Sequence, residues 1–142
     1  MFENKWHMPI FFSQINKDFN KLCDKILKPK GFGKLHAFYL ICLYDKINGL
    51  KLNEINDYIG CDKANTSRAI ADLENKNIIF KDNPNNCEKK YFVKLTALGL
   101  ELCKEFILKI KEEISKMFKR LTDEEFNIFM RLLNKLAYGE EI

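Results

Sequence analysis

Leu52-Asn53-Glu54-Ile55-Asn56-Asp57-Tyr58-Ile59-Gly60-Cys61-Asp62-Lys63-Ala64-Asn65-Thr66-Ser67-Arg68-Ala69-Ile70-Ala71-Asp72-Leu73-Glu74-Asn75-Lys76-Asn77, residues 52–77, reads as a helix, a tight turn and a second helix. Leu52, Ile55 and Ile59 recur at i, i+3 and i+7, a helix of about two turns that Gly60 ends. Asp62 stands where an N-cap belongs. Thr66, Ala69, Ile70 and Leu73 then form the inward stripe of a helix running to about Lys76, with Asn77 as its left-handed C-cap. With those residues inward, a step of about 100° per residue turns Ala64, Asn65, Arg68 and Ala71 outward and sets Lys63 and Ser67 on the flanks. That outer face is small, amide or cationic.

On the C-terminal side, Ile78-Ile79-Phe80-Lys81 and Tyr91-Phe92-Val93-Lys94-Leu95 are β-prone runs around Asp82-Asn83-Pro84-Asn85-Asn86, the densest turn composition in the chain. A hairpin with a long tip is the simplest reading. Upstream, Leu35-His36-Ala37-Phe38-Tyr39-Leu40-Ile41-Cys42-Leu43-Tyr44 is apolar nearly all round and fits a short buried helix, a strand being the alternative, and Asn48-Gly49 marks a turn. In the first thirty residues Phe11, Ile15, Phe19, Leu22 and Ile26 form one helical stripe, which Pro29 and Gly31 stop. After Thr96, Leu98, Leu102, Phe106, Ile110, Ile114, Met117 and Leu121 sustain helical period for about six turns. Thr122-x-x-Glu125 is a capping box for a last helix with Phe126, Phe129, Met130, Leu133 and Leu136 as its stripe and Gly139 as its end.

Helix, turn, helix and hairpin in this order predict a winged helix-turn-helix: a mainly α chain with a small β-hairpin wing (α+β). The physics suits duplex DNA, since an α-helix fits a major groove about 12 Å wide while the hairpin reaches the adjacent backbone or minor groove. Small outward residues let the helix approach the groove floor, Asn65 can pair with an adenine edge, and Arg68 can reach guanine or phosphate. Arg68 is the only arginine before position 120. The DNA-contacting set expected on this helix is Lys63, Asn65, Thr66, Ser67 and Arg68.

Composition bounds the rest. The chain has 142 residues, 46% apolar and 13% aromatic, enough for one core rather than several, and residues 1–142 are expected to form a single domain. A net charge of +4 permits an anionic partner without demanding one. No apolar run is long enough for a bilayer span or a signal-peptide core, so a cytoplasmic protein with no membrane partner is expected. The 5 cysteines, Cys23, Cys42, Cys61, Cys87 and Cys103, include no Cys-x-x-Cys pair, and His7 and His36 lack ligand spacing, so neither a disulfide framework nor a metal site is indicated. Without a Gly-rich phosphate loop, a Gly-x-Ser-x-Gly elbow or a His-Glu-x-x-His motif, no enzyme and no cofactor are expected.

Residues 62–79 resemble the recognition helix of the multiple-antibiotic-resistance regulator (MarR) family, including its Leu-Glu-x-Lys-Gly-Leu-Ile ending, here Leu73-Glu74-Asn75-Lys76-Asn77-Ile78-Ile79. Lys94-Leu95-Thr96-Ala97-Leu98-Gly99 resembles the family's Leu-Thr-x-x-Gly, which closes the wing and starts the next helix. The element order fits from residue 10 to 138. The resemblance implies a homodimer with interlocked terminal helices that represses genes from a pseudopalindrome and responds to small aromatic acids or oxidants. It divides the chain into a winged-helix lobe at about 33–98 and dimerisation helices at about 8–28 and 97–138. The family's wing commonly carries Asp-x-Arg, with the Arg in the minor groove. The matching stretch is Cys87-Glu88-Lys89-Lys90, so Lys89 or Lys90 must take that place without Arg's planar fork.

Dimer contacts are expected from Phe11, Ile15, Ile114, Phe118, Phe126, Phe129 and Leu133, because a compact winged helix leaves the terminal stripes short of partners. By resemblance, an effector crevice would be lined by Phe12, Lys17, Phe19, His36 and Tyr39. Cys87, in the wing, is the best thiol for redox sensing; the peroxide-sensing branch's cysteine has no counterpart in Met8-Pro9-Ile10. The rival functions are a thiol-based sensor and a winged-helix protein-interaction module that has lost DNA affinity.

Overall fold

The computed structural model describes residues 3–84, 86 and 90–139. The chain divides into two units, residues 1–109 and residues 110–142.

The first unit begins with a short 3₁₀ turn, Lys5–His7, and α1 (Met8–Ile15), which Asn16 separates from α2 (Lys17–Leu22). A wide π turn at Cys23–Leu27 and a 3₁₀ turn at Lys28–Lys30 complete this limb, which ends at Gly31. The expected stripe ran through Leu22 and Ile26, yet the buried positions are Cys23 and Leu27, one residue later. Cys23 opens the π turn and Leu27 closes it, with Leu22 and Ile26 half-buried beside them.

α3 (Lys34–Tyr44) buries Ala37, Tyr39, Leu40 and Leu43, as its apolar composition predicts. α4 (Leu52–Ile59) starts where Glu54 Oε2 accepts the Lys51 N–H at 2.8 Å and ends at Gly60, left-handed at φ 70°. α5 (Lys63–Asn75) is capped by Asp62, whose Oδ1 accepts the Asn65 N–H at 2.8 Å. It buries Thr66, Ala69, Ile70 and Leu73, and Asn77 turns left-handed at φ 58°. The helix, turn and helix stand where expected.

The hairpin is formed by β2 (Ile79–Asp82) and β3 (Phe92–Leu95), antiparallel with Ile79 opposite Leu95 and Asp82 opposite Phe92. A third strand, β1 (Leu50–Lys51), pairs with β3 to give the order β1-β3-β2. Two residues are too few to show alternation, and the segment reads from sequence only as the end of the Asn48-Gly49 turn.

The Leu-Thr-x-x-Gly motif at the foot of the wing has a mechanical reason. Thr96 donates its hydroxyl to the Asn77 carbonyl at 2.5 Å, with the Ile78 carbonyl at 3.1 Å, and accepts the Gly99 N–H at 2.9 Å as cap of α6 (Ala97–Phe118). A Cβ on Gly99 would stand 2.0 Å from the Ile78 oxygen, so only glycine lets α6 lie this close to the wing. α6 has 22 residues and is about 33 Å long. Its first half buries Leu102, Cys103, Phe106 and Ile107 in the core.

In the second unit, the Thr122 hydroxyl accepts the Glu125 N–H at 3.2 Å while Glu125 Oε2 accepts the Thr122 N–H at 2.8 Å, the expected capping box of α7 (Asp123–Tyr138). Phe118 packs on Phe126 and Phe129, with ring centroids 4.7 and 5.9 Å away.

Candidate nucleic-acid interface

On α5, Lys63, Asn65, Ser67 and Arg68 are exposed, together with Ala64 and Ala71. They form the outward face expected from helical period. Thr66, counted among the DNA-contacting residues, is turned the other way. It is 0% exposed, and Tyr39 donates its hydroxyl to Thr66 Oγ1 at 2.7 Å, tying α3 to α5 inside the core. Burial pushes the Tyr39 phenol above its ordinary value, and the Thr66 bond pulls only partly against this.

The outward polar groups are linked to one another. Asp62 uses Oδ1 for the backbone cap and Oδ2 to accept from the Asn65 side-chain amide at 2.8 Å. The Asn65 side-chain oxygen accepts from Arg68 Nη2 at 3.2 Å, and Arg68 Nε faces the Ala64 carbonyl at 3.4 Å. A carboxylate only accepts and a guanidinium only donates, so this chain of bonds admits one orientation of the Asn65 amide. The adenine pairing expected of Asn65 draws on both ends of its amide, and each end already makes one bond, an N–H to Asp62 and the oxygen to Arg68. The i, i+3 spacing of Asp62, Asn65 and Arg68 brings the three side chains within reach of one another.

The same helix is braced from behind. His36 Nδ1 accepts the Gly33 N–H at 3.0 Å, so a neutral ring carries its proton on Nε2, which meets Asp72 Oδ2 at 3.2 Å. At the far end, Lys76 donates to the Lys30 carbonyl at 2.6 Å with its ammonium 4.7 Å from the Phe32 ring centroid.

In the wing, Lys90 is exposed, whereas Lys89 and Cys87 lie outside the described residues. Lys94 is held by Asp82 at 2.6 Å, and Lys81 stands 5.0 Å over the Tyr91 ring and 3.7 Å from Glu74.

The expected effector residues are dispersed among other contacts. Phe19 stacks on Phe38 and packs on Phe106, His36 and Tyr39 are bonded to α5, and Phe12 and Lys17 are exposed. Two surface cavities of about 340 and 350 Å³, one along Phe32, Ile78, Leu98 and Leu102 and one along Asn20, Cys23 and Phe32, include none of these five side chains. Of the residues expected at a dimer contact, Phe11, Ile15 and Ile114 are exposed, and Phe118, Phe126, Phe129 and Leu133 are half-buried. Burial raises the thiols of Cys23 and Cys42 and pushes Cys103 up to about 12, away from thiolate chemistry. Among the described residues no group of three or more His, Cys, Asp or Glu is placed to hold a metal ion, and no helix is long and apolar enough to cross a membrane.

No protein-family model matches the chain. It is 31% identical over 136 residues to the HTH-type transcriptional regulator BilQ of Clostridioides difficile (strain CD3), covering 89% of this chain and 88% of BilQ. Its fold matches a Listeria monocytogenes protein assigned to the MarR family and complexed with 26mer DNA, at TM-score 0.80 and 21% identity over 98% of this chain and 89% of that one. It also matches CouR from Rhodococcus jostii RHA1 bound to p-coumaroyl-CoA, at TM-score 0.79 and 14% identity over 95% and 94% of the two chains. With α5 presenting a polar outer face beside a three-stranded wing, and with this likeness over nearly its whole length, the chain belongs to the HTH-type transcriptional regulators and has the winged-helix fold of the MarR family structures.

Proposed function

We propose that the protein is a homodimeric repressor of a pseudopalindromic operator, with two copies of α5 in successive major grooves about 34 Å apart and the wings along the flanks. The observation that carries this reading is the outer face of α5, where Lys63, Asn65, Ser67 and Arg68 are exposed beside Ala64 and Ala71. Lys89 and Lys90 supply the wing's positive charge toward phosphate. The lobe at about 33–98 reads the DNA, and the helices at about 8–28 and 97–138 join the two copies. Support for a second copy comes from α1 and α7, which bury no residue although Ile10, Phe11, Phe12, Ile128, Leu132 and Leu136 are exposed on them. A repressor of this kind works beside the chromosome, in the cytoplasm.

Release by a small aromatic ligand is part of the proposal, supported by the CouR complex with p-coumaroyl-CoA. Such a ligand weakens operator binding only by its preference for a dimer whose recognition helices are misplaced. Fluorescence-anisotropy titration against DNA from just upstream of the protein's own gene, at two salt concentrations with a scrambled competitor, tests the DNA reading. Specific, salt-steep binding at two subunits per site is expected, with loss on Arg68→Ala. Equal weak binding to both duplexes would overturn it in favour of a protein-interaction module.

A further inference from the structure

We infer that Asn65 is a positioning residue that aims Arg68, with Asp62 as its anchor, so that base discrimination along this part of α5 is concentrated in Arg68. The inference rests on the DNA-binding reading above and deepens it. Asn65 sits outward, where it could read a base itself, yet its amide N–H₂ is given to Asp62 Oδ2 at 2.8 Å and its oxygen is taken by Arg68 Nη2 at 3.2 Å. These bonds leave the amide one N–H and one oxygen lone pair, but they fix the plane in which those groups point, whereas supporting Arg68 asks for no change in it.

Arg68 gains a defined aim from the same contacts. Its Nε and one Nη2 hydrogen face Ala64 and Asn65, both on its own helix. The bonds lie along the Nε–Nη2 edge, so the Nη1–Nη2 end is the pair of donors left to meet an acceptor pair such as guanine O6 and N7. An unsupported Arg has many rotamers to lose on binding; one held through Asn65 by a carboxylate has fewer. Asp62 therefore serves two separable purposes, Oδ1 capping the helix and Oδ2 fixing the Asn65 amide.

The test is selection of a randomised duplex library by the purified full chain at fixed salt, repeated with Arg68→Ala, Asn65→Ala, the double variant, and Asp62→Ser. Serine retains the cap but has no second oxygen for Asn65. Arg68→Ala is expected to flatten the preference at one guanine per half-site by about 5- to 100-fold. Asn65→Ala should partly flatten that same base pair, and the double variant should be no worse than Arg68→Ala alone. Asp62→Ser should weaken the same preference while leaving the thermal midpoint in place, whereas a merely structural role would shift the midpoint or weaken all sequences alike. An Asn65→Ala profile that loses a different base pair, with an effect that multiplies that of Arg68→Ala, would overturn the inference and leave the repressor reading standing. An Asn65→Ala profile equal to the wild type would overturn it as well. Failure of the wild-type protein to enrich any sequence would remove the repressor reading and this inference together.

Discussion

α5 and α7 are both amphipathic helices with well-formed N-caps, and their apolar residues meet different fates. In α5 the stripe of Thr66, Ala69, Ile70 and Leu73 is buried, and even its one hydroxyl has a partner in Tyr39. In α7 no residue is buried; Ile128, Leu132 and Leu136 repeat every four positions in solvent, Leu136 at 72% exposure. Helical period announces that a face exists. It does not say whether this chain or another molecule covers it.

The contrast is most exposed to challenge in the core. Leu73→Ala empties a fully buried site and should cost about 2–5 kcal/mol in thermal or denaturant unfolding. A loss no greater than that from truncating an α7 leucine at low protein concentration would end the distinction. Gly99→Ala should follow at about 1–3 kcal/mol, because its Cβ meets the Ile78 carbonyl at 2.0 Å and backbone must give. Tyr39→Phe, which leaves the Thr66 hydroxyl buried and without that donor, should cost about 1 kcal/mol in the same assay.

Leu132→Asn and Leu136→Asn probe the contrast from the other side. Measured at protein concentrations low enough to dissociate the proposed dimer, they should change stability by less than about 0.5 kcal/mol. Sedimentation equilibrium should nonetheless show weakened association. Smallest of all at neutral pH is the Cys103 effect. Its thiol rises from the ordinary 9.0 to about 12 in the folded chain, so the unfolded chain ionises first. Stability from this group is complete below pH 9 and falls as pH climbs toward about 12, which alkaline denaturation of the wild type and Cys103→Ala would separate.

What the sequence made legible were features that neighbours along the chain decide. Asp62 three residues before Asn65, Thr122 three before Glu125, and Asn77 just past the α5 stripe are local patterns with local causes, and each stands where its pattern put it. The features that escape such reading depend on residues far apart. Thr66 carries a polar group on an inward stripe, and its partner there, Tyr39, comes from 27 positions away. The two-residue strand β1, which exists because β3 comes to lie beside it, belongs to the same class. At the candidate interface, the outward direction of Lys63, Asn65, Ser67 and Arg68 is set by helical period, whereas the bonding among Asp62, Asn65 and Arg68 is set by side-chain rotamers, which spacing alone leaves open.

The bonds at the foot of the wing also govern how freely its tip can vary. Thr96 reaches Asn77 and Ile78 across 19 and 18 positions, so the chain is already pinned at the base before the tip is counted. Closure entropy grows only with the logarithm of loop length, about 0.6 kcal/mol for each doubling. Insertions or deletions of a few residues between β2 and β3 should therefore be tolerated cheaply, and the wing's reach can diversify while the recognition helix and the start of α6 stay in place.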